Sequence, residues 1–164
     1  MQQVILDDTS RAKAYPLRPP GETRRTGRVW NLNVLLVDDD VADTALIMNV
    51  LTRHPNVSNA HATDAPEFAL RQLAKGSPIR PDLVLLDIHM PRLDGFEFLR
   101  AMRQIPSVSG VPVVFLTSSG LSTDVAKAMA TTASLYVVKP PTYFDLQARL
   151  NGVLRQAASG RWSN

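Results

Sequence analysis

Short apolar runs alternate with longer amphipathic stretches from Asn33 onwards, and this alternation strongly limits the possible folds. Five runs are predicted to be strands, at 33–37, 57–62, 82–87, 112–117 and 134–138. The first, third and fourth are nearly continuous in apolar residues, as expected for strands covered on both faces. The stretches between them carry apolar residues at helical spacing, such as Val125, Ala128 and Met129 in the fourth. This pattern predicts an α/β fold with a doubly wound parallel sheet.

Residues that can begin helices support the same arrangement. Three predicted helices start with a polar residue three positions before a carboxylate, which is the spacing of a capping box: Asp64 with Glu67, Asp94 with Glu97, and Thr142 with Asp145. Two further acidic residues, Asp40 and Asp43, follow the first strand. Asp40 is interpreted as the cap of the first helix, and Asp43 as part of its solvated face.

The beginning of the chain differs from the rest in composition. It contains several prolines and few apolar residues, so we predict a largely irregular, basic arm at 1–31, a folded domain at 32–157 and a C-terminal tail at 158–164. Residues 1–30 carry six basic and three acidic residues, which accounts for the whole net charge of +3. Such an arm can contact nucleic acid. The domain has no excess charge and no recognition-helix motif, which argues against that role.

Composition also excludes some kinds of site and location. The chain has no cysteine, which rules out disulfides and thiolate metal sites. The longest apolar runs, Val34–Val37 and Leu83–Leu86, are far shorter than a membrane span. Residues 1–8 lack the basic and apolar pattern of a signal peptide. The sequence therefore predicts a cytoplasmic protein with no membrane segment.

Polar residues follow the predicted strands at the ends where parallel sheets carry their sites. Asp38–Asp40 follow the first strand, Asp87 ends the third, Thr117 ends the fourth and Lys139 follows the fifth. Because the carboxyl ends of parallel strands lie at one edge of the sheet, these groups are expected to converge. Crowded carboxylates take up protons unless a cation neutralises them. Oxygen ligands without a histidine or cysteine cluster are typical of Mg²⁺, so we predict a magnesium site here.

The same groups suit phosphoryl transfer. Asp87 can act as a carboxylate nucleophile, while Lys139 and the Thr117 hydroxyl stabilise charge on the phosphoryl oxygens. An enzymatic alternative uses Asp38 and Asp40, whose spacing resembles the opening motif of haloacid-dehalogenase-like phosphatases. There, Asp38 would be the nucleophile and Asp40 the general acid. The chain lacks a second acidic pair after a later strand, which argues against this alternative.

Four motifs resemble the response-regulator receiver domains of two-component signalling. They are NVLLVDDD (33–40), PDLVLLDIHMPRLDGFEFL (81–99), VPVVFLTSS (111–119) and YVVKP (136–140), and the resemblance covers about residues 32–155. It implies a flavodoxin-like sheet of five parallel strands in the order 2-1-3-4-5 with five helices. It also implies a signalling protein rather than an enzyme, which receives its phosphoryl group from a histidine kinase.

The resemblance assigns roles to the acidic positions and to the loop after the third strand. Asp87 corresponds to the phosphoacceptor and is also a ligand of Mg²⁺. Asp39 corresponds to a direct metal ligand and Asp38 to one that binds mostly through water. The backbone carbonyl of His89 corresponds to a further ligand.

Further positions correspond to the switch and to the control of the phosphoryl lifetime. Thr117 corresponds to the hydroxyl that moves onto the phosphoryl group, and Tyr136 to the aromatic ring that follows it. Lys139 corresponds to the partner of the phosphoryl oxygens, and the bond that follows it, to Pro140, is expected to be cis. The side chains of His89 and Ser119 occupy positions that tune dephosphorylation.

Within the family, the chain resembles the small single-domain regulators that partner phytochrome-type histidine kinases. The cues are the longer connection at 76–81, the PDLVLLD strand and the lack of a recognisable output domain. This resemblance implies a stand-alone regulator whose output passes through the fourth helix, fifth strand and fifth helix. That surface is expected to form a homodimer.

Overall fold

A parallel sheet forms the centre of the protein. The computed structural model describes residues 3–5, 31–76, 80–118 and 120–160. The strands are β1 (Gln3–Ile5), β2 (Leu32–Val37), β3 (Val57–Thr63), β4 (Leu83–Leu86), β5 (Val113–Thr117) and β6 (Leu135–Val138). They lie in the order β1-β3-β2-β4-β5-β6. The five strands β2 to β6 confirm the predicted order 2-1-3-4-5, and β1 adds a sixth strand that the sequence did not predict.

Strand β1 lies in the arm that was predicted to be largely irregular. It pairs in parallel with β3, where its residues face Ala60, His61 and Ala62 across the ladder. Three residues are too few to show a strand period, and pairing with a distant strand leaves no local signal in the sequence. Residues 6–30 of the arm and 161–164 of the tail lie outside the described residues, so the predicted domain boundaries remain predictions.

Five helices cover the two faces of the sheet: α1 (Val41–Arg53), α2 (Pro66–Ala74), α3 (Gly95–Arg103), α4 (Ser122–Met129) and α5 (Tyr143–Ala158). Alternate residues of a strand point to opposite faces. Thus Val34 and Leu36 of β2 belong to the core shared with α1 and α5, whereas Leu35 and Val37 belong to the core shared with α2, α3 and α4. None of the described helices combines the length and apolarity needed to cross a bilayer.

The helix starts follow the sequence prediction at three of four places. Asp40 caps α1 by accepting a hydrogen bond from the Asp43 amide, Asp94 forms the predicted capping box, and Thr142 caps α5. The predicted cap at Asp64 is wrong. The N-cap of α2 is Ala65, which makes no side-chain cap hydrogen bond and is followed by a proline at the first turn. Proline at this place needs no amide partner and has a backbone angle suited to a helix.

Helix α4 departs from the predicted apolar stripe. Ala128 is buried, but Met129 is 82% exposed, and the other buried residue of the helix is the acidic Asp124. The helix has only eight residues and therefore packs little apolar surface against the sheet. Beyond its end, Arg103 of α3 donates hydrogen bonds to the side-chain and backbone oxygens of Thr132. These bonds hold the loop that leads into β6.

Candidate functional site

Three carboxylates converge at the carboxyl edge of the sheet. Val37 of β2 pairs with Leu86 of β4, and the Asp87 amide donates a hydrogen bond of 2.9 Å to the Val37 carbonyl. The residues that follow the two strands, Asp38 and Asp87, are therefore neighbours. One oxygen atom from each of Asp38, Asp39 and Asp87 lies within 4.8 Å of the other two. The predicted convergence of these carboxylates is thus present in the structure.

Two of these carboxylates are buried. Asp38 is 2% exposed and Asp87 is 6% exposed. Burial raises the pKa of both groups above the usual carboxyl value, although hydrogen bonds and the charge of Lys139 act in the opposite direction. Oδ1 of Asp87 accepts no hydrogen bond from any described residue. Burying a carboxylate oxygen without a hydrogen-bond donor costs free energy of folding. This atom is therefore suited to bind a cation or to react.

Lys139 reaches this cluster from the end of β6. Its Nζ donates hydrogen bonds of 2.8 Å to Asp38 and 2.8 Å to Asp43, and it lies 3.8 Å from Oδ1 of Asp87. Burial would lower the pKa of Lys139, but the hydrogen bonds to Asp38 and Asp43 and the charges of Asp38 and Asp87 together outweigh it, so the pKa is raised. The ammonium therefore stays charged beside Asp87. The peptide bond to Pro140 is trans, which corrects the expected cis bond and is the commoner form for proline.

The role of Asp43 was missed by the sequence analysis, which placed it on a solvated helix face. Asp43 lies in the first turn of α1, and the rotation of that helix directs its carboxylate towards Lys139. Asp40 itself caps α1, so the proposed general acid of the phosphatase alternative has a structural role.

The two residues predicted to form the switch occupy the next two strands. Thr117 ends β5, is fully buried, and contributes a side-chain hydrogen bond that lowers the pKa of Asp87. Tyr136 of β6 pairs with Phe115 and packs on the core beside α3 and α4. The pKa of the Tyr136 hydroxyl is raised by burial and by the charges of Asp124 and Asp87.

The loop after Asp87 is held by two contacts. The Gly95 amide donates to the Ile88 carbonyl at 2.9 Å, and an added Cβ on Gly95 would lie 2.9 Å from the Ile88 Cα. Only glycine fits this close approach. On the other side, Nε2 of His89 donates to Oδ2 of Asp124 at 2.9 Å. The sequence analysis did not identify Asp124, because 35 residues separate it from His89. Ser119 lies outside the described residues.

The donor set fits Mg²⁺. Three carboxylates supply oxygen atoms within reach of one ion, and Oδ1 of Asp87 needs a positive partner. The nearest cation, Lys139, is already hydrogen-bonded to two other carboxylates. A divalent ion would offset the negative charge that one ammonium leaves unbalanced.

Curated relatives place the chain in a family. The response regulator receiver domain family matches residues 34–151. The chain is 32% identical over 124 residues to the response regulator Rcp1 of Synechocystis, covering 73% of this chain and 84% of Rcp1. It is 33% identical over 123 residues to the transcriptional regulatory protein AfsQ1 of Streptomyces coelicolor, covering 75% of this chain and 51% of AfsQ1. The chain thus spans about half the length of several curated relatives.

Solved structures agree with the sequence relatives. The phosphorylated cyanobacterial phytochrome response regulator RcpA has a TM-score of 0.68 at 26% identity, covering 77% of this chain and 94% of RcpA. The Mn²⁺-bound form of Rcp1 has a TM-score of 0.67 at 28% identity, covering 80% of this chain and 96% of Rcp1. The family match, the strand order and the relatives agree: the chain belongs to the response regulator receiver domain family.

Proposed function

We propose that this protein accepts a phosphoryl group from a histidine kinase onto Asp87, and that the resulting acyl phosphate acts as a signal. The observation that carries the proposal is the state of the Asp87 carboxylate. It is buried, one of its oxygens accepts no hydrogen bond from the described part of the chain, and it faces two further carboxylates and Lys139. A carboxylate that is held in a fixed position, with one oxygen that accepts no hydrogen bond, is suited to act as a nucleophile.

The proposed transfer balances without a further reagent. An oxygen of Asp87 attacks the phosphorus of phosphohistidine, a P–O bond forms, and the P–N bond breaks with its electron pair returning to the imidazole. Asp38, Asp39, Asp87 and the backbone carbonyl of His89 would hold Mg²⁺, which neutralises charge on the phosphoryl oxygens. Lys139, only 3.8 Å from Asp87, would turn towards the added oxygens. The Thr117 hydroxyl would donate to another of them.

The product is a signal and not a released compound, so we propose a switch that is not an enzyme in the usual sense. Water would end the signal by hydrolysing the acyl phosphate, and His89 and Ser119 would tune that rate. RcpA is a cyanobacterial phytochrome response regulator, and this similarity supports a phytochrome-type histidine kinase as the partner. Such a regulator would act in the cytoplasm beside its kinase, and the similarity to the response regulator Rcp1 supports the regulatory role.

We further propose that α4, β6 and α5 form the output surface, and that it makes a homodimer. This surface carries exposed hydrophobic side chains on or beside all three elements, namely Leu121, Met129, Leu135, Val138 and Phe144. Exposed apolar groups on neighbouring elements are typical of interaction sites. Thr117 and Tyr136 connect the proposed phosphoryl site to these elements. A change at Asp87 can therefore alter this surface.

The decisive experiment is phosphorylation by acetyl phosphate with Mg²⁺, followed by intact mass spectrometry. We expect the protein to gain one phosphoryl group and the Asp87→Asn variant to gain none. Asp64→Asn is the matched control, because Asp64 is an exposed carboxylate in the loop after β3 and makes no cap hydrogen bond. Phosphorylation of Asp87→Asn, or none of the wild type, would contradict the proposal.

A further inference from the structure

We propose that Asp124 is a positioning residue for the switch: it holds His89 on α4, and a phosphoryl group on Asp87 draws His89 away and loosens the first turn of α4. This inference rests on the proposed phosphorylation of Asp87. It adds a second connection from the loop after Asp87 to the proposed output surface of α4, β6 and α5. The first connection is the one through Thr117 and Tyr136.

The contact joins the loop after β4 to the first turn of α4. His89 lies two residues after Asp87 in the loop that follows β4, and Asp124 is the third residue of α4. Nε2 of His89 lies 2.9 Å from Oδ2 of Asp124, and a carboxylate can only accept, so the imidazole is the donor. The His89 side chain is 55% exposed, whereas that of Asp124 is 9% exposed. The imidazole thus covers a buried carboxylate and remains free to move itself.

The first turn of α4 is held by polar contacts, and the bond from His89 to Asp124 is one of them. Its N-cap residue, Leu121, makes no side-chain hydrogen bond to the first turn. Its buried residues are Asp124 and Ala128, so apolar packing holds it weakly. A buried carboxylate is tolerated only where donors surround it. The bond from His89 is therefore one of the contacts that keep the first turn of α4 against the site.

A phosphoryl group would compete for the same imidazole. It brings about two negative charges and three acceptor oxygens, whereas Asp124 offers one charge. One N–H cannot serve both acceptors at once, and His89 is close to Asp87 along the chain. If His89 leaves, Asp124 loses its imidazole donor and its burial becomes less favourable. The first turn of α4 would then move to hydrate the carboxylate, beside the exposed Leu121.

Charge at Asp124 also reaches the switch aromatic. After burial, the charge of Asp124 is the largest influence that raises the pKa of the Tyr136 hydroxyl, and the charge of Asp87 follows. The charges of both carboxylates therefore influence the Tyr136 hydroxyl, one from α4 and the other from the proposed phosphorylation site. A shift of Asp124 would change the environment of Tyr136 directly.

The test measures the affinity for beryllofluoride, a phosphoryl analogue, in saturating Mg²⁺ by titration calorimetry. Wild-type protein must break the His89–Asp124 bond on binding, whereas Asp124→Asn and Asp124→Ala break a weaker bond or none. We expect both variants to bind roughly three- to tenfold more tightly than wild type. In a His89→Ala background, the same Asp124 substitutions should change the affinity less than about twofold.

Asp145→Asn is the matched control, because Asp145 is the third residue of α5 but is exposed, and among the described residues it forms hydrogen bonds only with its own cap residue, Thr142. Its affinity should equal that of wild type. An unchanged or weaker affinity of both Asp124 variants would overturn the inference, as would the same tightening with and without His89. A wild type that shows no saturable binding, or an Asp87→Asn variant that binds normally, would instead contradict the proposed function.

Amide hydrogen exchange supplies a second readout, because a ligand that only stabilised the fold would slow exchange. In wild type, Mg²⁺ with beryllofluoride should accelerate exchange in residues 122–126. In Asp124→Ala, exchange there should already be fast without the analogue and should change little on binding. Slower exchange of these amides in wild type on binding would overturn the inference, and this measurement needs no variant to fold.

Discussion

Replacing Asp87 with asparagine is expected to stabilise the metal-free protein, even though it removes the residue proposed to carry the signal. Asp87 is 6% exposed and its Oδ1 accepts no hydrogen bond from the described residues. Asparagine has nearly the same shape, so packing is preserved. The substitution therefore mainly removes a buried negative charge.

The size of the effect follows from the nearby charges. Asp38 and Asp39 lie within 4.8 Å of Asp87, so each repels it by about 3.5 kcal/mol at an effective dielectric constant near 20. Lys139 at 3.8 Å attracts it by about 4 kcal/mol on the same scale. Repulsion exceeds attraction by about 3 kcal/mol, and relaxation of the site reduces this. We expect a gain of about 2 kcal/mol, or a Tm rise of roughly 4–8 °C.

The gain should depend on pH, because burial raises the pKa of Asp87 in the folded protein. Between the ordinary carboxyl pKa of 3.8 and this raised value, the folded protein binds more protons than the unfolded chain. Its stability therefore falls as pH rises through that interval. The advantage of Asp87→Asn should be small at the acid end and complete above the raised pKa.

Thermal unfolding followed by circular dichroism, in EDTA and in MgCl₂, checks this prediction. Mg²⁺ should raise the Tm of wild type and raise that of Asp87→Asn much less, since the variant lacks one ligand. Asp64→Asn is the control and should remain within about 0.5 kcal/mol of wild type. An Asp87→Asn Tm in EDTA at or below that of wild type would refute the electrostatic reasoning.

Three further changes have clear expectations. Gly95→Ala should lower stability by about 2 kcal/mol or more in urea unfolding, because a Cβ would meet the backbone of Asp87 and Ile88; unchanged stability would contradict this. Met129→Asp should weaken the association of the proposed dimer about tenfold, measured by sedimentation. Ala74→Asp, at an exposed position of α2, should leave the association unchanged. Equal effects of the two substitutions would exclude the surface of α4, β6 and α5 as the dimer interface. His61→Leu should reduce the loss of stability below pH 6.5, because burial lowers the pKa of His61 in the folded protein. In wild type, the unfolded chain therefore takes up a proton there that the folded protein does not, which favours unfolding. An unchanged dependence of stability on pH would contradict this.

The sequence predicted the fold well because its signals are local. A strand buried on both faces needs a continuous apolar run, and β4 and β5 show one. Parallel strands then bring their carboxyl ends together, which is why Asp38, Asp87 and Lys139 could be grouped before their distances were known. The caps at Asp94 and Thr142 were visible for the same reason, since each contact spans three residues.

Only the tertiary structure decided which groups touch. The rotation of α1 turned Asp43 towards Lys139, and the placement of α4 brought Asp124 beneath His89. It also left Met129 in solvent, although its spacing matched an apolar stripe. Periodicity tells which residues share a face of one element, but a contact between elements depends on how each is rotated and placed. That geometry is set by packing of the whole core, so no local pattern in the chain contains it.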